Sequence, residues 1–169
     1  MSDRVIKAAL LGLGTVGTGV YKVLKSQEEE MSAKVGCKVE ITRILVRNIE
    51  KAAAKVKDPS VLTNSWESIL EDPEVEIVIV LIGGINPARE YILQALNAGK
   101  HVVTANKDLI AVHGHELLDA AHAKKVDFLF EAAVAGGIPI IRPLKQCLAG
   151  NHMTEVMGIV NGTTNFILT

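Results

Sequence analysis

The chain has 169 residues, a length that suggests one domain, and 49% of them are apolar, enough for a sizeable core. Eighteen lysines and arginines stand against nineteen aspartates and glutamates, giving a net charge of −1 with no basic block, so nothing points to nucleic acid or to an anionic membrane. Aromatic residues make up only 4%, so Val, Ile, Leu and Ala must build the core, as suits a parallel sheet buried on both faces. Cys37 and Cys147 match no ligand or redox spacing and read as reduced thiols in a cytoplasmic protein. The amino terminus lacks an apolar signal core. The longest strongly apolar run, residues 77–82, is far too short to span a bilayer.

In chain order, an apolar strand over residues 5–11 leads into Gly12-Leu13-Gly14-Thr15-Val16-Gly17. Each glycine has its own physical task. Gly12 allows the tight turn out of the strand. Gly14, lacking a side chain, lets a pyrophosphate approach its backbone. Gly17 lets the following helix pack on the strand. The helix start adds unpaired N–H groups and the positive end of its dipole. A G-x-G-x-x-G is weak by itself, but this one has a strand before it and a helical pattern after it.

The helix is expected over residues 15–30, with Glu28, Glu29 and Glu30 as its solvated end. A second strand follows over residues 38–46. A short helix then spans 50–57 and stops at Asp58-Pro59. Val61-Leu62 forms a brief strand, and Asn64 or Ser65 caps a short helix over 66–70. Residues 77–82 read as the central strand, β-branched and without alternation. Gly83-Gly84 ends it, Asn86-Pro87 opens a helix, and Gly99 closes that helix. A strand over 101–104 is followed by a helix over 106–125 with a break near Gly114. Another strand covers 126–131, then a loop through Ala135-Gly136-Gly137. Residues 139–148 look helical, distorted by Pro143. A last strand over 153–160 meets a second strand-to-helix turn at residues 161–164. This alternation predicts an α/β, doubly wound, mostly parallel sheet of Rossmann type with helices on both faces, in one domain over 1–169.

In such a sheet, ligands sit at the carboxyl ends of the strands. Those ends carry residues 12–17, Arg47, Gly83-Gly84, Thr104 to Lys107, residues 131–138 and residues 161–164. Gly83 and Thr104 are counted with the cofactor-binding set. After the second strand a site for NAD usually offers an acidic residue to the ribose 2′-OH, whereas an arginine accommodates a 2′-phosphate. No Asp or Glu occurs between Ile41 and Ile49, and Arg47 could pair bidentately with phosphate, so the sequence leans to NADP with NAD as the alternative. Arg47 reads equally well as an ordinary surface residue. Lys107 follows a strand and, in a cleft, is a charge partner or proton carrier. Glu131, with carbonyls of the glycine loop, could form an oxygen cage for a hard cation, or be a structural carboxylate capping a helix. His115, Asp119 and His122 share a helical face that reads as a solvated surface.

The chain resembles the amino-terminal, nucleotide-binding part of homoserine dehydrogenase. Residues 11–17, 101–107, 131–139 and 158–165 carry the resemblance, the last three most specifically. It implies an NAD(P)-dependent oxidoreductase interconverting homoserine and aspartate 4-semialdehyde, toward threonine, methionine and isoleucine. By matching motif, Leu13, Thr15 and Val16 line the dinucleotide, Lys107 contacts cofactor and substrate as the catalytic candidate, and Gly162 touches the nicotinamide end. Glu131, with the carbonyls of Val134, Gly136 and Ile138, matches the family's sodium site. Val80 stands where many members have a glutamate. The family continues into an α+β domain that forms the homodimer and supplies acidic substrate-binding residues and a catalytic lysine. None of these lies within the 169 residues, so a dinucleotide-binding module without turnover is the competing reading. A semialdehyde dehydrogenase would want a cysteine nucleophile in the cleft, and neither cysteine is expected there.

Overall fold

The computed structural model describes residues 4–159. Among the described residues six parallel strands form one sheet in the order β3-β2-β1-β4-β5-β6. They are β1 (Val5–Leu11), β2 (Lys38–Leu45), β3 (Leu62–Thr63), β4 (Val75–Val80), β5 (His101–Thr104) and β6 (Phe128–Leu129). The order reverses between β1 and β4, so the crossovers diverge there and leave a crevice at the strands' carboxyl ends.

Period-two alternation along β1 sends its side chains into two cores. Ala9 and Leu11 pack with Val78 and Val80 of β4 under α5 (Ala88–Asn97) and α6 (Lys107–Lys124). Leu10 faces the other way, with Ile41 and Ile44 of β2 and with Tyr21 of α1 (Thr15–Ser26) and Ala52 of α3 (Ile49–Ala53). All of these except Tyr21 and Ala52, on the helices, are strand residues, so the sheet is covered on both sides as the composition requires.

The first helical stretch is two helices. A break at Gln27 separates α1 from α2 (Glu28–Val35), and Gly36 caps α2 at φ +83°. Glu28, Glu29 and Glu30 therefore occupy the first turn of a new helix, at the positive end of its dipole, and not the end of the old one. The short α4 (Glu67–Leu70) is preceded by Ser65, whose hydroxyl accepts from Ser68 N–H at 3.2 Å, so Ser65 and not Asn64 does the capping. The central strand begins and ends two residues earlier than expected, because its pairing with β1 runs from Lys7↔Val75 to Leu11↔Val80. The Asn86-Pro87 peptide is cis, and α5 begins at Ala88.

No break occurs at Gly114. The helix stays continuous because Leu109, Leu117 and Ala121 anchor it on both sides of a glycine that costs only about 1 kcal/mol. A π-turn over Pro143–Cys147 takes up the distortion expected of Pro143, with Leu148 N–H donating to the Pro143 carbonyl at 3.0 Å. The strand expected from residue 153 does not form over residues 153–159. The sheet's edge strand β6 has only two residues, and Leu129 is exposed, so the described sheet offers a short edge on that side. The expected turn at 161–164, and Gly162 with it, lies outside the described residues.

Candidate functional site

The turn after β1 is shaped by contacts that only glycine permits. Gly12 sits at φ +97°, and a Cβ there would lie 2.8 Å from Ile82 Cγ2. A Cβ on Gly17 would lie 2.0 Å from the Gly12 carbonyl oxygen, so the first turn of α1 rests directly on the loop backbone. Gly14 differs: nothing lies within 4 Å of its Cβ position, and its backbone faces open space at the amino end of α1. No side chain caps that helix end. Space before Gly14 and an uncapped helix start fit a bound phosphate group.

A groove of about 710 Å³ opens at the sheet's switch point. Its walls include Gly12, Leu13 and Gly14 on one side and Leu81, Ile82 and Gly83 on the other. Its β2 end is lined by Arg47, Lys51 and Lys55, spaced four residues apart, and among the described residues no aspartate or glutamate lines it. The Lys55 ammonium donates to the Leu13 carbonyl at 2.9 Å, tying α3's far end to the glycine loop. Asn48 caps α3 by accepting from Lys51 N–H at 2.7 Å, which fixes where Lys51 stands. Sequence reasoning found Arg47 but not Lys51 or Lys55. The i, i+4 spacing from Arg47 was the available signal.

A smaller groove of about 200 Å³ adjoins the first and shares Leu81, Ile82 and Gly83 with it. Val16, Ala105, Asn106, Lys107 and Asp108 complete its lining. Thus Gly12, Leu13, Gly14, Arg47 and Gly83 line the larger groove, and Val16, Gly83 and Lys107 the smaller one. Gly17 serves packing. Thr15 is exposed at the start of α1 and lines neither groove. Thr104 lines neither groove. Its side chain is buried, its hydroxyl donates to the Val80 carbonyl at 2.9 Å, and the same oxygen accepts from Asn106 N–H at 3.2 Å. That hydroxyl ties β5 to β4.

A family model described as the NAD binding domain of homoserine dehydrogenase matches residues 12–131, and a second, described as homoserine dehydrogenase, matches residues 139–169. The chain belongs to the homoserine dehydrogenase family. It is 48% identical to the homoserine dehydrogenase of Bacillus subtilis over 98% of its own length and 38% of that protein's. It is 51% identical to the Corynebacterium glutamicum enzyme over 95% of its own length and 36% of that protein's. The crystal structure of a homoserine dehydrogenase from Thiobacillus denitrificans superposes with a TM-score of 0.89 at 49% identity, over 98% of this chain and 38% of that one. The chain therefore spans well under half the length of these relatives, and what it shares with them is an NAD(P)-binding domain.

The homoserine dehydrogenase resemblance also drew attention to Glu131, which lines neither groove. Its Oε1 accepts from the N–H groups of Ile140 (2.6 Å) and Ile141 (2.9 Å), and its Oε2 from Arg142 N–H (2.9 Å). Burial pushes its carboxyl up, but the N–H groups of Ile140, Arg142 and Ile141, with the Arg142 charge, outweigh that and hold it below the usual glutamate range. The carboxylate thus closes the loop between residues 131 and 142 and caps the segment after it. Within the loop, Ala135 and Gly136 both adopt positive φ, and the Ala135 carbonyl accepts from Ile138 N–H at 3.1 Å. Among the described residues no group of three or more His, Cys, Asp or Glu is placed to hold a metal ion. No helix among them is long and apolar enough to cross a membrane.

Proposed function

We propose that this chain is the cofactor-binding part of a homoserine dehydrogenase that uses NADP(H) in preference to NAD(H). The enzyme interconverts homoserine and aspartate 4-semialdehyde on the way to threonine, methionine and isoleucine, as a cytoplasmic homodimer. The observation that carries the cofactor choice is the β2 end of the large groove. It presents Arg47, Lys51 and Lys55 and no carboxylate. A 2′-phosphate gains charge-assisted hydrogen bonds from such a wall, whereas a ribose 2′-OH there lacks the acidic acceptor it usually finds.

The residues present fit a dinucleotide. The backbone of Gly12, Leu13 and Gly14 and the start of α1, with Thr15 and Val16, take the pyrophosphate. Gly83 flanks the passage from the large groove to the small one. When bound, the nicotinamide exchanges a hydride with the substrate's reacting carbon. Lys107, beside the small groove, is the catalytic candidate: its ammonium donates to the substrate oxygen and holds the proton there. The small groove offers one carboxylate, Asp108, and homoserine carries both an ammonium and a carboxylate to be clamped. Positioning of that kind is worth on the order of 7–11 kcal/mol in well-oriented reactions. The 169-residue chain by itself is therefore expected to bind cofactor without turning over homoserine at an enzymatic rate. Gly162 is assigned to the nicotinamide end by family motif alone.

A sodium ion at Glu131 belongs to the same proposal, with the carbonyls of Val134, Gly136 and Ile138 as its other ligands. Two facts support it. Glu131 Oε2 accepts only one N–H and keeps acceptor capacity, and the three carbonyls take no hydrogen bond among the described residues.

The chain has one tryptophan, and it reports on the groove. Trp66 stacks on Tyr91, with ring centroids 4.6 Å apart, and Tyr91 lines the large groove. Titration of the purified chain with NADPH should quench Trp66 emission saturably, and NADH should do so at higher concentration. Equal or tighter binding of NADH overturns the NADP assignment. Absence of saturable binding for both overturns the cofactor reading.

A further inference from the structure

Backbone pairing between β4 and β5 ends at Val80↔Thr104. Beyond that point Leu81, Ile82 and Gly83 wall both grooves, and the segment through Gly84 has no strand beside it on the β5 side. On the β1 side, Leu81 N–H donates to the Leu11 carbonyl at 2.9 Å. On the β5 side, side chains take over from backbone. Thr104 Oγ1 donates to the Val80 carbonyl, and Asn106 Nδ2 donates to the carbonyls of Ile82 (3.2 Å) and Gly84 (2.6 Å). The carbonyls of Val80 and Ile82 alternate along the extended chain and present one edge to these donors, and the turn at Gly84, φ +79°, leaves its carbonyl within reach of the same amide. Asn106 is buried, 7% exposed, and its Oδ1 accepts Leu109 N–H at 3.1 Å as the cap of α6. One carboxamide therefore spends both its donor and its acceptor ends across two loops, and the next residue is Lys107.

We propose that Asn106 is the positioning residue of the cofactor groove. Its amide nitrogen holds the Ile82–Gly84 segment in fixed register with the start of α6, so that Gly83 and Lys107 face the same ligand at a set separation. The proposal rests on the dinucleotide reading for its ligand but not for its geometry. A cap requires only the side-chain oxygen, and serine or aspartate would supply that equally well. Only the amide nitrogen reaches both carbonyls, so the two tasks can be separated by substitution.

The test compares the unmodified chain with Asn106→Ser and Asn106→Asp. Serine keeps a cap and removes the donors. Aspartate keeps the cap and the shape but turns an acceptor toward two carbonyl oxygens. Thermal unfolding establishes that each variant folds. Amide relaxation of Gly83 and Gly84 reports the tie, and Trp66 quenching by NADPH reports its consequence. The expected result is lost order at Gly83 and Gly84, retained protection of the Leu109 amide, and NADPH binding weakened about tenfold in either variant. In Asn106→Asp the loss should shrink as pH falls and the carboxyl regains a proton to donate, a profile that Asn106→Ser should not show. Unchanged order at Gly83 and Gly84 in a folded variant overturns the proposal. If the unmodified chain binds no NADPH, the cofactor reading fails, and the relaxation data still decide the tie.

Discussion

A Cβ on Gly17 would lie 2.0 Å from the carbonyl oxygen of Gly12, while a Cβ on Gly14, three residues earlier, would meet nothing within 4 Å. The outer two glycines of the motif are thus demanded by the fold of the chain alone, and the middle one is not. Gly17→Ala should cost about 1–3 kcal/mol or more, since backbone must move to admit the methyl group. Gly14→Ala should leave stability within about 0.5 kcal/mol and weaken NADPH binding sharply, because its methyl group enters the space the pyrophosphate would take. Gly19→Ala, in the open interior of α1, is the control and should add about 0.5–1 kcal/mol. Urea unfolding of the three variants, with a cofactor titration of each, separates these effects.

Within the cationic wall, Arg47 and Lys51 should act on the 2′-phosphate alone. Arg47→Ala and Lys51→Ala should each weaken NADPH binding, by roughly tenfold for the loss of one charge-assisted contact, and leave NADH binding nearly unchanged. The preference for NADPH should also narrow as salt is raised, because exposed charges are screened. A variant that weakens both cofactors equally would show that its cation serves the pyrophosphate or the loop instead. Lys55 is expected to behave in that way, since its ammonium already holds the Leu13 carbonyl.

Glu131 carries a pH-dependent contribution of defined sign. Its carboxyl is held below the ordinary glutamate range in the folded chain, so the stabilisation is fully present above that ordinary range. It is lost as pH falls through the lowered folded value. The stability difference between the unmodified chain and Glu131→Gln should therefore be constant at neutral pH and close on acidification, as read by thermal unfolding across pH. At neutral pH the unmodified chain should be more stable in sodium chloride than in tetramethylammonium chloride, and Glu131→Gln should lose that difference. If the two salts are equivalent for the unmodified chain, the cation assignment fails while the capping role stands.

Lys100 gives the same slope at the other end of the pH range, but from a charge that burial disfavours. Its side chain is buried and its ammonium donates to the carbonyls of Asp72 (2.6 Å) and Val75 (2.8 Å). Burial pushes its pKa down, and the Asp72 charge only partly offsets that. The unfolded chain then binds the extra proton between the lowered value and the ordinary lysine value, so stability should rise with pH through that window. Lys100→Met should abolish the alkaline rise. It should also cost about 1–3 kcal/mol overall, because two carbonyls lose their donor.

Much of the fold was legible because its signals are local. Three glycines after an apolar strand, β-branched runs without alternation, and helix stops such as Gly99 act within a few residues of themselves, and they specify strand, turn and helix wherever the chain goes. The doubly wound class and the family followed from such runs taken in order. What the sequence left open depended on partners far along the chain. Gly114 reads as a break until Leu109 and Leu117 are seen anchored in one core. The partner of the Thr104 hydroxyl, the Val80 carbonyl 2.9 Å away, is likewise not written locally. Glu131 reads as a cation ligand or a structural cap, and its cap partners appear only when three N–H groups from residues 140–142 converge on it. The cationic wall was half visible, because the spacing of Arg47, Lys51 and Lys55 is written in the sequence but their common groove exists only once β2 lies beside β1. Local sequence determined the elements, since backbone preference and hydrophobic period are short-range. The tertiary structure decided which polar groups face a ligand and which are used up in holding strands and loops together, since hydrogen-bond partners 20 or more residues apart meet only in the folded chain.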